Sequence, residues 1–115
     1  MLSTKDSLTA IISGAIHARD RGFAMAKDGL YSLINALDAI VVIDRHTNRI
    51  IRSDMKDTVF RLRLERDAKY GDVSTYLRTM GVVPATIQER LVEINRELDR
   101  IAYQAIEELY DDLWA

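Results

Sequence analysis

The chain has no cysteine, which removes disulfides, thiolate nucleophiles and cysteine-based zinc sites together. It has one proline, Pro84, and no Ser/Pro-rich linker, low-complexity tract or internal repeat that would divide it. Long hydrophobic runs are missing too: the longest, Ala39 to Ile43, is far too short to cross a bilayer. There is no excess of positive charge, since 16 Lys/Arg stand against 18 Asp/Glu for a net charge of -2, so nothing globally basic advertises nucleic acid or an anionic membrane. Neither a Walker-type phosphate loop nor a dinucleotide fingerprint occurs, and no cofactor or metal is implied. The opening residues MLSTKDSLTAIISG place Asp6 beside Lys5 and lack a basic n-region and a clean apolar h-region. No secretory signal is read there, and a soluble cytoplasmic protein is the expectation.

What is present is architecture. At 115 residues and 48% hydrophobic, a single domain over residues 1–115 with one modest core is expected. The most informative pattern is a row of small residues at a spacing of four, Ala10, Gly14, Ala18, Gly22 and Ala26. Rows spaced by four are the ridges along which helices pack, so this row predicts a surface for close approach by another helix. Ser3 and Asp6 resemble a capping arrangement, and Leu8, Ile12, Ile16 and Phe23 follow helical spacing. A first helix from about Lys5 to Lys27 follows, with Arg19 near the middle of its apolar stripe, where it must snorkel or find a carboxylate.

Gly29 reads as a helix stop, and Leu30, Leu33, Ile34 and Leu37 as a second, short helix. The segment AIVVIDRHTNRIIRSD then changes character: Ile40 to Ile43 are β-branched, Asp44 to Asn48 read as a turn, and Ile50 and Ile51 follow. A central antiparallel β-hairpin is expected, with a third strand from the alternation of Phe60, Leu62 and Leu64 with Arg61, Arg63 and Glu65. The segment AIVVIDRHTNRIIRSD also resembles the opening strands of PAS sensory domains, a resemblance from which no ligand or sensing role is carried over. After Tyr70-Gly71 a short helix, Val73 to Met80, is closed by Gly81. Pro84 opens the last helix, whose Ile87, Leu91, Ile94, Leu98, Ile101 and Ala105 form a coiled-coil-like seam. Glu93 with Arg96 and Glu97 with Arg100 are expected to pair on its solvated face. The fold class expected is thus α+β and predominantly helical, the alternative being an all-α helical bundle.

For function, two classes are carried forward. The first is a small nonenzymatic interaction or regulatory protein that forms a homodimer, or binds a protein partner, through helix–helix contacts. Its contact residues are Ala10, Gly14, Ala18, Gly22 and Ala26 on the first helix and Leu91, Ile94, Leu98, Ile101 and Trp114 on the last. The second rests on VSTYLRTMGVVPATIQERL, which resembles a bacterial helix-turn-helix over some twenty residues. That resemblance implies a DNA-binding regulator in which Thr86, Gln88 and Arg90 read bases while Arg61 and Arg63 hold the backbone. The acidic character of the following helix opposes it, because phosphate contact supplies most nonspecific affinity.

The remaining clusters have plainer readings. Ser13, His17 and Asp20 lack the oxyanion hole and cleft that a catalytic triad needs, and His46 is too remote to complete a zinc site. Glu107, Glu108, Asp111 and Asp112 crowd a helix C-terminus whose dipole disfavours anions, so something must offset them. Tyr103, Tyr110 and Trp114 beside them are of the type enriched at interfaces. No enzyme is expected.

Overall fold

The structure is a computed structural model that describes the backbone of residues 4–114 and the side chains of residues 4–26 and 28–108. It contains four helices: α1 (Thr4–Met25), α2 (Leu30–Ile50), α3 (Lys56–Thr79) and α4 (Ala85–Trp114). Short 3-10 turns at Ala26–Asp28 and Ser53–Met55 precede α2 and α3. Among the described residues there is no strand, so the expected central hairpin and third strand are absent and the α+β expectation is corrected. No helix among them is long and apolar enough to cross a membrane.

The correction has an identifiable cause. Read at helical rather than strand period, Ala36, Ala39, Ile40, Ile43 and Thr47 share one side of α2, and all are buried. Intrinsic preferences of β-branched residues differ from those of good helix formers by only a few tenths of a kcal/mol, and burial of a whole face outweighs that. Thr47 in addition donates its hydroxyl proton to the Ile43 carbonyl at 2.7 Å, a bond made within the helix. The alternating segment behaves the same way, since Val59, Leu62, Arg66, Tyr70 and Val73 make the inward stripe of α3 while Phe60 and Leu64 turn outward. The middle of the chain is two helices rather than one continuous helix. The chain extends at Ile51 and Arg52 (ψ 143° and 154°) before α3 begins.

Tyr70-Gly71 interrupts nothing: Gly71 is exposed inside α3, of which the expected helix 73–80 is merely the end. The stops at Gly29 and Gly81 do occur. Gly29 has φ 156° with ψ 162°, a region essentially reserved for glycine, and Gly81 has φ 70° while donating its N–H to the Tyr76 carbonyl at 2.8 Å. Pro84 caps α4, its carbonyl accepting from the N–H groups of Ile87 and Gln88. Ser3 lies outside the described residues.

α1 and α2 pack closely as an antiparallel hairpin, and α4 touches all three other helices. The body measures 53 × 32 × 18 Å, two helices deep. Its apolar interior falls into three clusters. One joins Leu33, Ile40, Tyr70 and Leu91, another Ile12, Ala102 and Ile106, and the third Val59, Ile94, Leu98 and Ile101.

A polar path drawn from every helix crosses between these clusters. Arg19 of α1, only 3% exposed, donates to both carboxylate oxygens of Asp99 on α4 at 2.8 and 3.0 Å, and to Asp20 at 2.8 and 2.9 Å. Arg66 of α3, likewise buried, forks onto Asp44 of α2 at 2.7 and 3.0 Å. Between them the Tyr70 hydroxyl of α3 and the Asn95 amide of α4 exchange hydrogen bonds at 2.8 and 3.1 Å. Burial works against the charge of each arginine, but the hydrogen bonds and charge of the facing carboxylates more than offset it and raise both above the ordinary arginine value. Arg63, half-buried beside Arg66, is lowered by burial, although it also meets Asp44 and Asn48.

Candidate functional site

Where α1 and α4 part company, the bundle opens into a groove. Their contacts run from Lys5–Glu107 through Ser13–Tyr103 to Arg19–Asp99. Lys5 to Arg19 is about 21 Å of α1, while Glu107 to Asp99 is only about 12 Å of α4 at 1.5 Å per residue, so the two axes are inclined. Beyond Arg19 they diverge, and the space between them, closed by the end of α3 and the α3–α4 turn, has a volume of about 750 Å³.

Phe23, Val73, Leu77 and Leu91 line the groove, and Phe23 stacks on Tyr70 with ring centroids 4.5 Å apart. Arg19, Asn95 and Asp99 bring the buried polar path to its lining. Apolar walls with a few converging polar groups in several hundred cubic ångströms are the usual composition of a small-molecule site. A second hollow beside Ile51, Met55 and Ile101 has about 170 Å³, below that range.

The electrostatics of the groove turn on one residue. Arg19, Asp20 and Asp99 satisfy one another, whereas Arg96 on the α4 wall has no hydrogen bond or ion pair among the described residues. Sequence spacing predicted that Glu93 would pair with Arg96. In the structure Glu93 instead accepts from Arg90 at 3.1 Å, and Arg90 also holds Glu65 of α3. The other predicted pair, Glu97 with Arg100, does form.

The residues nominated from sequence are dispersed. Of the small-residue row, Gly22 and Ala26 are buried within the chain, and Gly22 meets Ser32 and Ala36 of α2. Ala10, Gly14 and Ala18 are exposed. Leu91, Ile94, Leu98 and Ile101 are buried in the chain's own core. The side chains of Trp114, Tyr110, Asp111 and Asp112 lie outside the described residues.

The helix-turn-helix nominees do not share a free face. Thr86 is exposed, Gln88 donates to the Val83 carbonyl, and Arg90 is engaged by two carboxylates. Arg61 reaches the Asp57 carbonyl of its own helix, and Arg63 is tied to α2. On α3 and α4, Leu77 shares a core cluster with Leu91 and Val59 shares one with Leu98, so the two helices meet through the core beyond the residues of the nominated motif.

Of the smaller clusters, Ser13 bonds the Tyr103 hydroxyl at 2.8 Å, Asp20 holds Arg19, and His17 is exposed. No group of three acidic or histidine side chains among the described residues is arranged to hold a metal. The acidic end of α4 is offset within the chain, Glu107 by Lys5 and Glu108 by Arg52.

A different surface was not nominated from sequence. Leu30, Ile34 and Val41 share one outward face of α2, with Ile34 53% and Val41 54% exposed, and Phe60 and Leu64 stand out from α3. In sequence these residues divide between an expected short helix (Leu30, Ile34) and expected strands (Val41, Phe60, Leu64), and the burial of Leu33, Ile40 and Ile43 shows which side of α2 faces in. The chain is thus a four-helix bundle with a groove between α1 and α4 and, among the described residues, an apolar outer face on α2. No family model, curated protein or solved structure matches it.

Proposed function

We propose that this chain is a nonenzymatic interaction protein that assembles with a second copy of itself through the outer face of α2. The observation that carries this is the run of exposed apolar side chains Leu30, Ile34 and Val41, whose spacing matches the seam of paired helices. Single exposed hydrophobic residues are ordinary, but a contiguous apolar helix face marks a contact surface. A two-fold pairing uses each side chain twice, so three residues supply six anchors. At about 1.5–3 kcal/mol per fully buried side chain, and with roughly half of each side chain still exposed, six anchors supply on the order of 4–9 kcal/mol toward an association cost on the order of 4–15 kcal/mol. The small-residue row and the α4 seam play a different part here, because their buried members hold the protomer together.

Analytical ultracentrifugation of the parent chain and of an Ile34→Glu/Val41→Glu double variant tests this. The parent should sediment as a dimer whose population rises with concentration. The variant should be monomeric with an unchanged helical spectrum, because more than half of each residue is already exposed in the monomer and a carboxylate there can reach water. A parent that is monomeric throughout excludes self-assembly, and a variant that still dimerises excludes this face.

A further inference from the structure

We propose that the groove between α1 and α4 binds an anionic amphiphile, a molecule with one aliphatic chain and a carboxylate head. This is independent of self-assembly, since it concerns a different face of the bundle.

Three observations point to that class of ligand. The first is enclosure. The groove is bounded at one end by the Gly81–Val83 turn and at the other by the Arg19–Asp99 bridge, where α1 and α4 meet. Along α4 it runs from Gln88 to Asp99, roughly 16 Å at 1.5 Å per residue. A short flexible chain of about that length fits between these two bounds.

The second is the lining. Phe23, Leu77 and Leu91 offer carbon surface to an aliphatic chain, and they belong to one continuous core cluster. The third is charge. Asp99 and Asp20 occupy the donors of Arg19 and together outweigh it by one negative charge, so the cation available to a ligand is Arg96, whose charge brings the lining to neutrality and which has no partner among the described residues. A guanidinium takes a carboxylate through two parallel hydrogen bonds. The buried Asn95 side chain, on the same helix and one residue before Arg96, lines the groove too. Its amide has a second N–H beyond the one given to Tyr70, a neutral donor for the same head group.

The chemistry predicts a graded response. Each added methylene buried in the groove contributes about 0.8 kcal/mol, which is about a fourfold gain in affinity. Isothermal titration calorimetry with octanoate, decanoate and dodecanoate, each below its micelle concentration, reads that gradient directly. One molecule per chain should bind, each step of two methylenes tightening it roughly 15-fold. Ala24→Trp, on an exposed α1 position lining the groove, should abolish binding while the thermal unfolding profile stays that of the parent. Arg96→Glu should weaken dodecanoate severalfold and leave dodecyltrimethylammonium unaffected or improved. No saturable binding, binding indifferent to chain length or to Ala24→Trp, or equal affinity for the cationic amphiphile would each overturn the proposal.

Discussion

Replacing Gly22 with alanine should destabilise the fold, although the same change elsewhere on α1 should stabilise it. A Cβ built at Gly22 falls 2.8 Å from the Ala36 Cβ, 2.9 Å from the Ser32 carbonyl oxygen and 3.0 Å from the Ala36 nitrogen. Two of those atoms are backbone and the third is fixed to it, so no flexible side chain can swing aside. Restoring ordinary contact requires α1 and α2 to separate by about 0.6 Å, a gap that forfeits roughly a quarter of the dispersion energy along the contact. Overpacking of this kind costs about 1–3 kcal/mol, against which the better helix propensity of alanine returns up to about 1 kcal/mol. Net destabilisation on the order of 1 kcal/mol is expected, and Gly22→Leu should lose more. Gly14, on the same helix and in the same row, has nothing within 4 Å of its built Cβ. Gly14→Ala should therefore gain about 0.5–1 kcal/mol. Urea denaturation of the two alanine variants beside the parent checks the pair, which should differ by about 2 kcal/mol with opposite signs. If Gly22→Ala proves as stable as Gly14→Ala, the close approach of α1 and α2 is not the reason a glycine stands at position 22.

The polar path makes two further predictions. Asp99→Ala leaves the buried Arg19 with the exposed Asp20 alone and should cost about 3 kcal/mol; a loss under about 0.5 kcal/mol in a denaturant melt would show that Asp20 and water suffice. Burial pushes the Tyr70 hydroxyl up to about 12, with the Asn95 hydrogen bond acting the other way. The unfolded chain releases that proton near the ordinary value of 10 while the folded chain retains it. Stability from this group is therefore fully present below pH 10 and falls as the pH rises toward 12. Tyr70→Phe should flatten that decline over pH 10–12 relative to the parent, while costing about 1–3 kcal/mol at neutral pH by leaving the Asn95 amide without its partner. An unchanged alkaline profile would mean that Tyr70 is accessible to solvent.

Those polar residues also bear on why one arrangement of four amphipathic helices is adopted. Apolar faces alone tolerate sliding and rotation, because carbon surface packs on carbon surface in many registers. The forks of Arg19 on Asp99 and of Arg66 on Asp44 join different helices and so depend on the register in which those helices meet. A shift that separates either fork would leave a buried charge uncompensated, which is strongly unfavourable. Arg19 was conspicuous in the sequence as a cation in an apolar stripe, but Asp99 lies 80 residues away and nothing local singles it out among the carboxylates of α4.

The ends of the chain were more legible than its middle, for a physical reason. In α1 and α4 the apolar residues repeat at helical spacing over many turns, and glycine or proline stands at the boundaries, so local and tertiary preferences agree. In residues 39–66 the β-branched run and the Phe60–Leu64 alternation fit a strand locally. The choice between periods there depended on which face the rest of the molecule would bury. Val59, Arg66 and Tyr70 go inside while Phe60 and Leu64 do not, an outcome that short apolar runs do not encode.

By itself the sequence determined that disulfide and cysteine-metal chemistry is out of reach and that helix boundaries fall at Gly29, Gly81 and Pro84, and it marked a row of small residues, Ala10 to Ala26, without saying which of them a helix would meet. Covalent structure and backbone stereochemistry are properties of single residues and their near neighbours, so they can be read without the fold. Only the tertiary structure decided that Gly22 serves a contact within the chain, that the α4 seam is core, that Glu93 turns to Arg90 and frees Arg96, and that a groove opens where α1 leaves α4. Each of these depends on which residues far apart in sequence are brought together, and the burial that selects them exists only once all four helices are packed.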